Sequence, residues 1–136
     1  MATSTRMAPC LLIAASWFLA SCYEDESARA YGAADRIWTL VELDGARFKA
    51  TATLRFPEPG KITGKAPCNQ YFATMTAPYP WFEATAIGST KMACPELQAE
   101  SVYLTALAEM TQSEVSGNVL ILRNEQGREL VFKAPG

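Results

Sequence analysis

Four cysteines and no histidine frame the chemistry open to this chain. Cys94 stands directly before Pro95 in Ser89–Glu96 (STKMACPE), where a helix could open, and Cys68 lies upstream in Gly64–Tyr71 (GKAPCNQY). At a helix start the dipole lowers a thiol's pKa and would favour a nucleophile. Such a nucleophile wants a neighbouring base, and the imidazole that most often serves is missing. Structural zinc wants about four ligands, commonly in Cys and His clusters. Two isolated cysteines would have to recruit distant carboxylates, so we expect no metal and no catalytic thiol. A disulfide asks only for the second sulfur and an oxidising compartment.

The first residues speak to that compartment. Arg6 supplies a positive start, and Cys10 to Ala20 (CLLIAASWFLA) is an apolar run of signal-peptide length, too short to span a bilayer. It ends in Leu19-Ala20-Ser21-Cys22, which resembles the lipobox of bacterial lipoproteins. The resemblance implies a signal peptide over residues 1–21 and a Cys22 that carries a diacylated thioether and an acylated amine. One acyl chain holds a membrane weakly, whereas several hold it stably. Ala28-Arg29-Ala30 offers an alternative cleavage pattern, but it lies far beyond the apolar run. Residues 22–35 are acidic, small and turn-prone, and are expected to form a flexible tether. Tyr23 stands where an inner-membrane retention signal would usually place Asp, which points to an outer-membrane anchor on the periplasmic side.

Export makes the cysteine count even. Cys10 leaves with the signal, Cys22 takes lipid, and Cys68 and Cys94 remain to pair. Closing the loop between them would stabilise the fold by about 3 kcal/mol in the chain-entropy model.

Length and charge narrow the rest. At 136 residues the chain has room for one compact domain, expected over residues 36–136. A net charge of -2 with mixed signs offers no basic stripe for nucleic acid. Glycine-rich phosphate loops and paired acids suited to hydrolysis are missing, and we expect no cofactor.

Short period-2 runs separated by turn signals predict an antiparallel sheet. Trp38 to Leu43 leads into Asp44-Gly45, Ala52 to Phe56 into Pro57 to Gly60, and Asn69 to Met75 pairs with Trp81 to Ile87 across two prolines. Three further runs close the chain, at 113–115, 119–123 and 128–133. Between them Pro95 to Gln112 reads as one amphipathic helix with Pro95 at its first position and Leu97, Ser101, Leu104, Leu107 and Ala108 as its stripe. A curled sheet needs its apolar face covered, and this helix is the available cover. The fold class is mainly β (α+β), a small barrel-like curled antiparallel sheet wrapped around one helix. The bridge would staple the helix start to the strand containing Asn69.

Gly64, Cys68-Asn69 and Tyr71, followed by Thr90-x-Met92-x-Cys94 and then Glu100 with Tyr103, Leu104 and Leu107, resemble the META domain or HslJ-like family. Trp38-x-Leu40 and Asp44-Gly45 agree with it. The resemblance implies a sheet wrapped around a helix, often lipid-anchored in the bacterial envelope, linked to stress tolerance and bringing no general catalytic activity. Gly64, Asn69, Thr90, Met92 and Glu100 read as structural, with Thr90 as a cap near the helix start and Glu100 on its flank. Tyr71, Tyr79 and Trp81 are the candidate binding surface. The expected function is noncatalytic: a monomer on its lipid anchor that binds an envelope protein or an apolar ligand. A pilot or assembly lipoprotein for an outer-membrane complex is the alternative, on analogy of size and anchor, and a small enzyme with an unrecognised polar site is a weaker one.

Overall fold

The computed structural model describes residues 24–136, so the expected signal segment and the expected lipid site at Cys22 lie outside the described residues. Nine strands and one α-helix follow in the order β1 (Trp38–Leu43), β2 (Ala46–Arg47), β3 (Thr53–Leu54), β4 (Gly60–Lys65), β5 (Gln70–Met75), β6 (Thr85–Ser89), α1 (Leu97–Glu109), β7 (Gln112–Ser116), β8 (Val119–Arg123) and β9 (Glu129–Lys133). One sheet runs β2-β1-β9-β8-β7 with β3 also paired to β1, and the other runs β4-β5-β6. All pairings are antiparallel.

Two isolated bridges join the sheets. Arg55 pairs with Thr63, carrying the β3 segment onto β4, and Trp81 pairs with Gln112, laying the chain after β5 along the edge of β7. The result is a curled, unclosed wall. Its inner side carries Trp38, Leu40, Leu54, Ile62, Met75, Leu120, Leu122, Leu130 and Phe132, all buried. The alternation in β5, β8 and β9 is that of strands with one face in the core.

The turns do what their residues demand. Asp44 and Gly45 both take positive φ in the two-residue β1–β2 loop, a conformation that suits Asp-Gly. The Asp44 carboxylate accepts bonds from the Glu129 N–H and from the Arg128 guanidinium, tying this turn to β9. Between β8 and β9 the Asn124 Oδ1 accepts the N–H groups of Gln126 and Arg128.

The helix differs from the expected one at both ends and in its stripe, since Gln112 opens β7 instead of ending the helix. Pro95 and Glu96 form a turn before it, and the helix itself covers Leu97–Glu109. Its buried residues are Glu100, Tyr103, Ala106 and Leu107, whereas Leu97 is exposed and Leu104 only half-buried. The helix is rotated relative to a pure leucine stripe because Tyr103 and Glu100 have partners inside. The Tyr103 ring packs edge-on against Tyr71 and Phe132 at centroid distances of 5.6 and 6.4 Å.

The tether expected over residues 22–35 is also corrected for its described part, residues 24–35. Ser27, Ala28 and Ala33 are buried, and Arg29–Ala33 forms a short π-helical turn kinked at Gly32, where φ is +112°. The Trp38 indole N–H donates to the Ala33 carbonyl, the Tyr79 N–H donates to Glu26, and Tyr31 stacks on Tyr79 at 4.6 Å. Small polar composition reads as linker, but here small side chains let the backbone lie close against the domain. The strand expected at Trp81–Ile87 is likewise shifted to Thr85–Ser89, because Trp81 bridges to Gln112 instead.

Gly64 marks a close approach. A Cβ there would fall on the Thr53 carbonyl oxygen and within 2.6 Å of the Tyr71 ring. Backbone cannot swing aside as a side-chain tip can, so Gly64→Ala is expected to cost about 2 kcal/mol as overpacking. Urea unfolding monitored by near-ultraviolet circular dichroism measures it, and an unchanged midpoint would refute it.

Candidate functional site

Where the β4–β5 connection meets α1, the family-motif residues form one closed polar cluster. Glu100, projecting inward from the first turn of α1, accepts through Oε1 from the N–H groups of Cys68 (3.1 Å) and Asn69 (2.7 Å) and through Oε2 from Asn69 Nδ2 (2.7 Å). Asn69 Nδ2 also donates to the Met92 carbonyl, while Asn69 Oδ1 accepts from the Met92 N–H at 2.6 Å and from the Thr90 hydroxyl at 3.0 Å. Thr90 Oγ1 in turn accepts from the Gln70 N–H. One asparagine thus bonds an irregular segment, Thr90–Met92, as a neighbouring strand would.

Burial pushes the Glu100 carboxyl up, but the bonds from Asn69 and Cys68 and the nearby Lys91 charge outweigh it and hold the group below its ordinary value. It is therefore a buried anion with its acceptor sites turned inward, 5 % exposed. Thr90 serves Asn69 and not the helix start, a correction to its expected capping role. Met92 contributes its backbone, and its side chain points out.

Cys68 and Cys94 are joined in a disulfide beside this cluster, with Cα atoms 5.7 Å apart. Glu96 lies close to both sulfurs. With the sulfurs bonded to each other they offer no thiolate, so the three do not make a metal centre in this state.

Tyr71 is not surface. It is 2 % exposed, its hydroxyl donating to the Thr53 carbonyl at 2.7 Å and so accepting from the Tyr103 hydroxyl at 2.6 Å. Burial holds both phenols above their ordinary values. The outward aromatic of β5 is its neighbour Phe72, because a strand alternates faces and Tyr71 takes the inner one.

Tyr79 and Trp81 do meet at a surface. Together with Pro80 they form one wall of a groove of about 370 Å³, whose other wall is the outward face of β7 and β8 through Gln112, Glu114, Ile121 and Arg123. Trp81 is 55 % exposed. Arg123 is held between Glu114 and Glu129 at 3.0 and 2.9 Å, leaving a net negative edge beside the indole. The Pro80 carbonyl accepts from the Ser113 N–H and the Tyr79 hydroxyl from the Val115 N–H, which covers the edge of β7 and closes it to further strand pairing. Gln112 and Arg123, missed in the sequence, are cross-strand neighbours on one face. Their alternation gave no separate signal.

The META domain model matches residues 33–135. The chain belongs to the META domain family. Its polar cluster is built from the residues that carry this resemblance, Asn69, Thr90, Met92 and Glu100. No curated protein matches this META domain chain. Among solved structures it is similar to a protein from Burkholderia xenovorans determined by NMR, with a TM-score of 0.65, 22% identity, and coverage of 98% of this chain and 95% of that one. It is also similar to a DUF4847 family protein from Bacteroides vulgatus, with a TM-score of 0.62, 16% identity, and coverage of 76% and 95%. At these identities the likeness is one of fold. Among the described residues of the META domain chain no helix is long and apolar enough to cross a membrane.

Proposed function

We propose that this META domain protein is a noncatalytic envelope lipoprotein, held through Cys22 at the periplasmic side of the outer membrane, that supports stress tolerance by binding another envelope protein in the Tyr79–Trp81 groove. The observation that carries this reading is the contrast between two sets of residues. Asn69, Thr90, Glu100 and both cysteines have their bonding capacity used within the fold. Trp81 is exposed beside a formed groove.

A buried carboxylate whose oxygens accept from backbone and an asparagine has no proton to give and no exposed oxygen to take one from a substrate, which argues against acid–base work. An exposed indole on a rigid strand connection is the type of side chain that dominates binding energy at protein interfaces. The negative edge made by Glu114 and Glu129 favours a partner with an apolar anchor flanked by cations.

Photocrosslinking from position 112 in intact cells tests the groove. One reproducible protein adduct is expected, reduced about tenfold by Trp81→Ala, as for an interface anchor worth at least 1.4 kcal/mol by the usual conversion. Adduct yield indifferent to Trp81 would sink this reading.

A further inference from the structure

The sheet β4-β5-β6 turns Ile62, Tyr71 and Ala73 to the core, and its opposite face has a different character. There Arg55, Thr63 and Phe72 stand in one cross-strand row, because Arg55 is opposite Thr63 and Thr63 is opposite Phe72. Lys61 and Lys65 of β4 point to the same side by strand alternation, one on either side of that row. Phe72 is 57 % exposed and Ile37 48 %. Between them lies a shallow groove of about 650 Å³ lined also by Arg55, Lys65 and Gln70, and among the described residues no carboxylate lines it.

Phe72 is held there by design of the neighbouring strand. A Cβ at Gly88 of β6 would run into the Phe72 ring, so glycine at that position leaves room for the ring to lie over β6. In a chain of net charge -2 this face gathers Arg55, Lys61 and Lys65 around two large apolar side chains. Lys61 is paired with Glu58 at the margin, and the Arg55 and Lys65 charges have no salt-bridge partner among the described residues.

We propose that this face docks onto an anionic phospholipid surface, with Arg55 and Lys65 meeting phosphodiesters while Phe72 and Ile37 enter the boundary between headgroups and acyl chains. Charge complementarity selects the occupant. An anionic bilayer offers dense negative charge directly above apolar chains, and an amphipathic face with cations at its rim matches that order. A cation at such a surface contributes about fivefold in affinity, and apolar side chains add to it. None of the residues lining this surface lines the Tyr79–Trp81 groove, so the two surfaces are separate sites. The proposal does not depend on Cys22 being acylated, because it concerns which side of the domain faces the lipid.

The test uses the full chain reconstituted in nanodiscs of phosphatidylcholine, with or without a third of phosphatidylglycerol, each carrying a small amount of headgroup-chelated gadolinium lipid. Paramagnetic broadening is read at the amides of Thr63, Gln70 and Phe72 and, as an internal reference, at Val119–Arg123. In the anionic discs broadening at the first set is expected to exceed the reference severalfold, and to fall to the phosphatidylcholine level in high salt. The double change Arg55→Glu with Lys65→Glu should remove most of the excess, since losing two such cations weakens docking about twentyfold or more, and Phe72→Ser should reduce it alone. Equal broadening of the two sets, or an excess indifferent to phosphatidylglycerol, would overturn the proposal. Glycerol phosphate added without discs should leave these amides unshifted, and saturable shifts with it would replace the lipid surface by a small-anion site. The salt and lipid comparisons need no variant, so a misfolded substitution cannot decide the result.

Discussion

Glu100→Ala is expected to destabilise the domain by about 4 kcal/mol, the largest effect of any single change considered for this chain. The substitution removes the acceptor for the Cys68 and Asn69 N–H groups and for the Asn69 amide, all at or near burial. Hydrogen bonds to a charged group contribute about 1.5–3 kcal/mol each, and a buried donor left without a partner costs its desolvation as well. The sum is reduced because Asn69 and its neighbours can relax toward water once the carboxylate is gone. Glu100→Gln is expected to cost about 2 kcal/mol, since an amide oxygen still serves two donors while the NH2 group faces the Asn69 amide. Urea denaturation of both variants measures this, and a Gln variant as damaged as the Ala variant would show that charge matters more than acceptor geometry.

The same carboxylate makes stability depend on pH in a definite direction. Its pKa in the folded state lies below the ordinary value of 4.5. A group depressed on folding contributes its full stabilisation above the unfolded pKa and loses it as pH falls through the folded one. Between neutrality and pH 4.5 the contribution is therefore constant, and below 4.5 it declines. Glu100→Gln should flatten that acid limb relative to wild type. Parallel curves for the two proteins would place the acid sensitivity elsewhere, for example at Asp44, whose carboxyl the Arg128 guanidinium holds low.

Removing the disulfide is expected to cost about 3 kcal/mol, because the bridge closes a loop with a sequence separation of 26. Cys68→Ala with Cys94→Ala is the cleaner variant, as it leaves no thiols to recombine. In the entropic account the loss resides in the unfolded chain, which becomes more expanded, so the urea m-value should rise as the midpoint falls. A fallen midpoint with an unchanged m-value would locate the loss in the native state instead. The two devices also share targets: Glu100 fixes the Cys68 and Asn69 backbone, and Asn69 fixes Thr90 and Met92 just before Cys94. Their effects should therefore deviate from additivity by about 1 kcal/mol in a double-mutant cycle.

Much of this molecule was legible in one dimension. Period-2 runs located most of the strands, and Asp44-Gly45 and Pro57 to Gly60 located turns, because strand faces and positive φ are properties of neighbouring residues. The pairing of Cys68 with Cys94 followed from counting, and the family resemblance from the linked motif. Local pattern misjudged the segments whose fate depends on a distant partner. Glu24 to Asp35 looks like a linker and packs because Trp38, Tyr79 and Phe56 are placed to receive it. Tyr71 and Phe72 are adjacent aromatics, and only strand register sends one to Tyr103 in the core and the other to solvent.

The sequence by itself determined the mainly β class with one α-helix, the absence of histidine chemistry and the residues able to form the motif. Tertiary structure decided that Glu100 faces inward, that its charge is met by the backbone of Cys68 and Asn69, and that Trp81 remains outside. The physical reason is range. Alternation and turn propensity act over a few residues, whereas the acceptor for Asn69 comes from a helix 31 positions away and exists only once the sheet has curled around it.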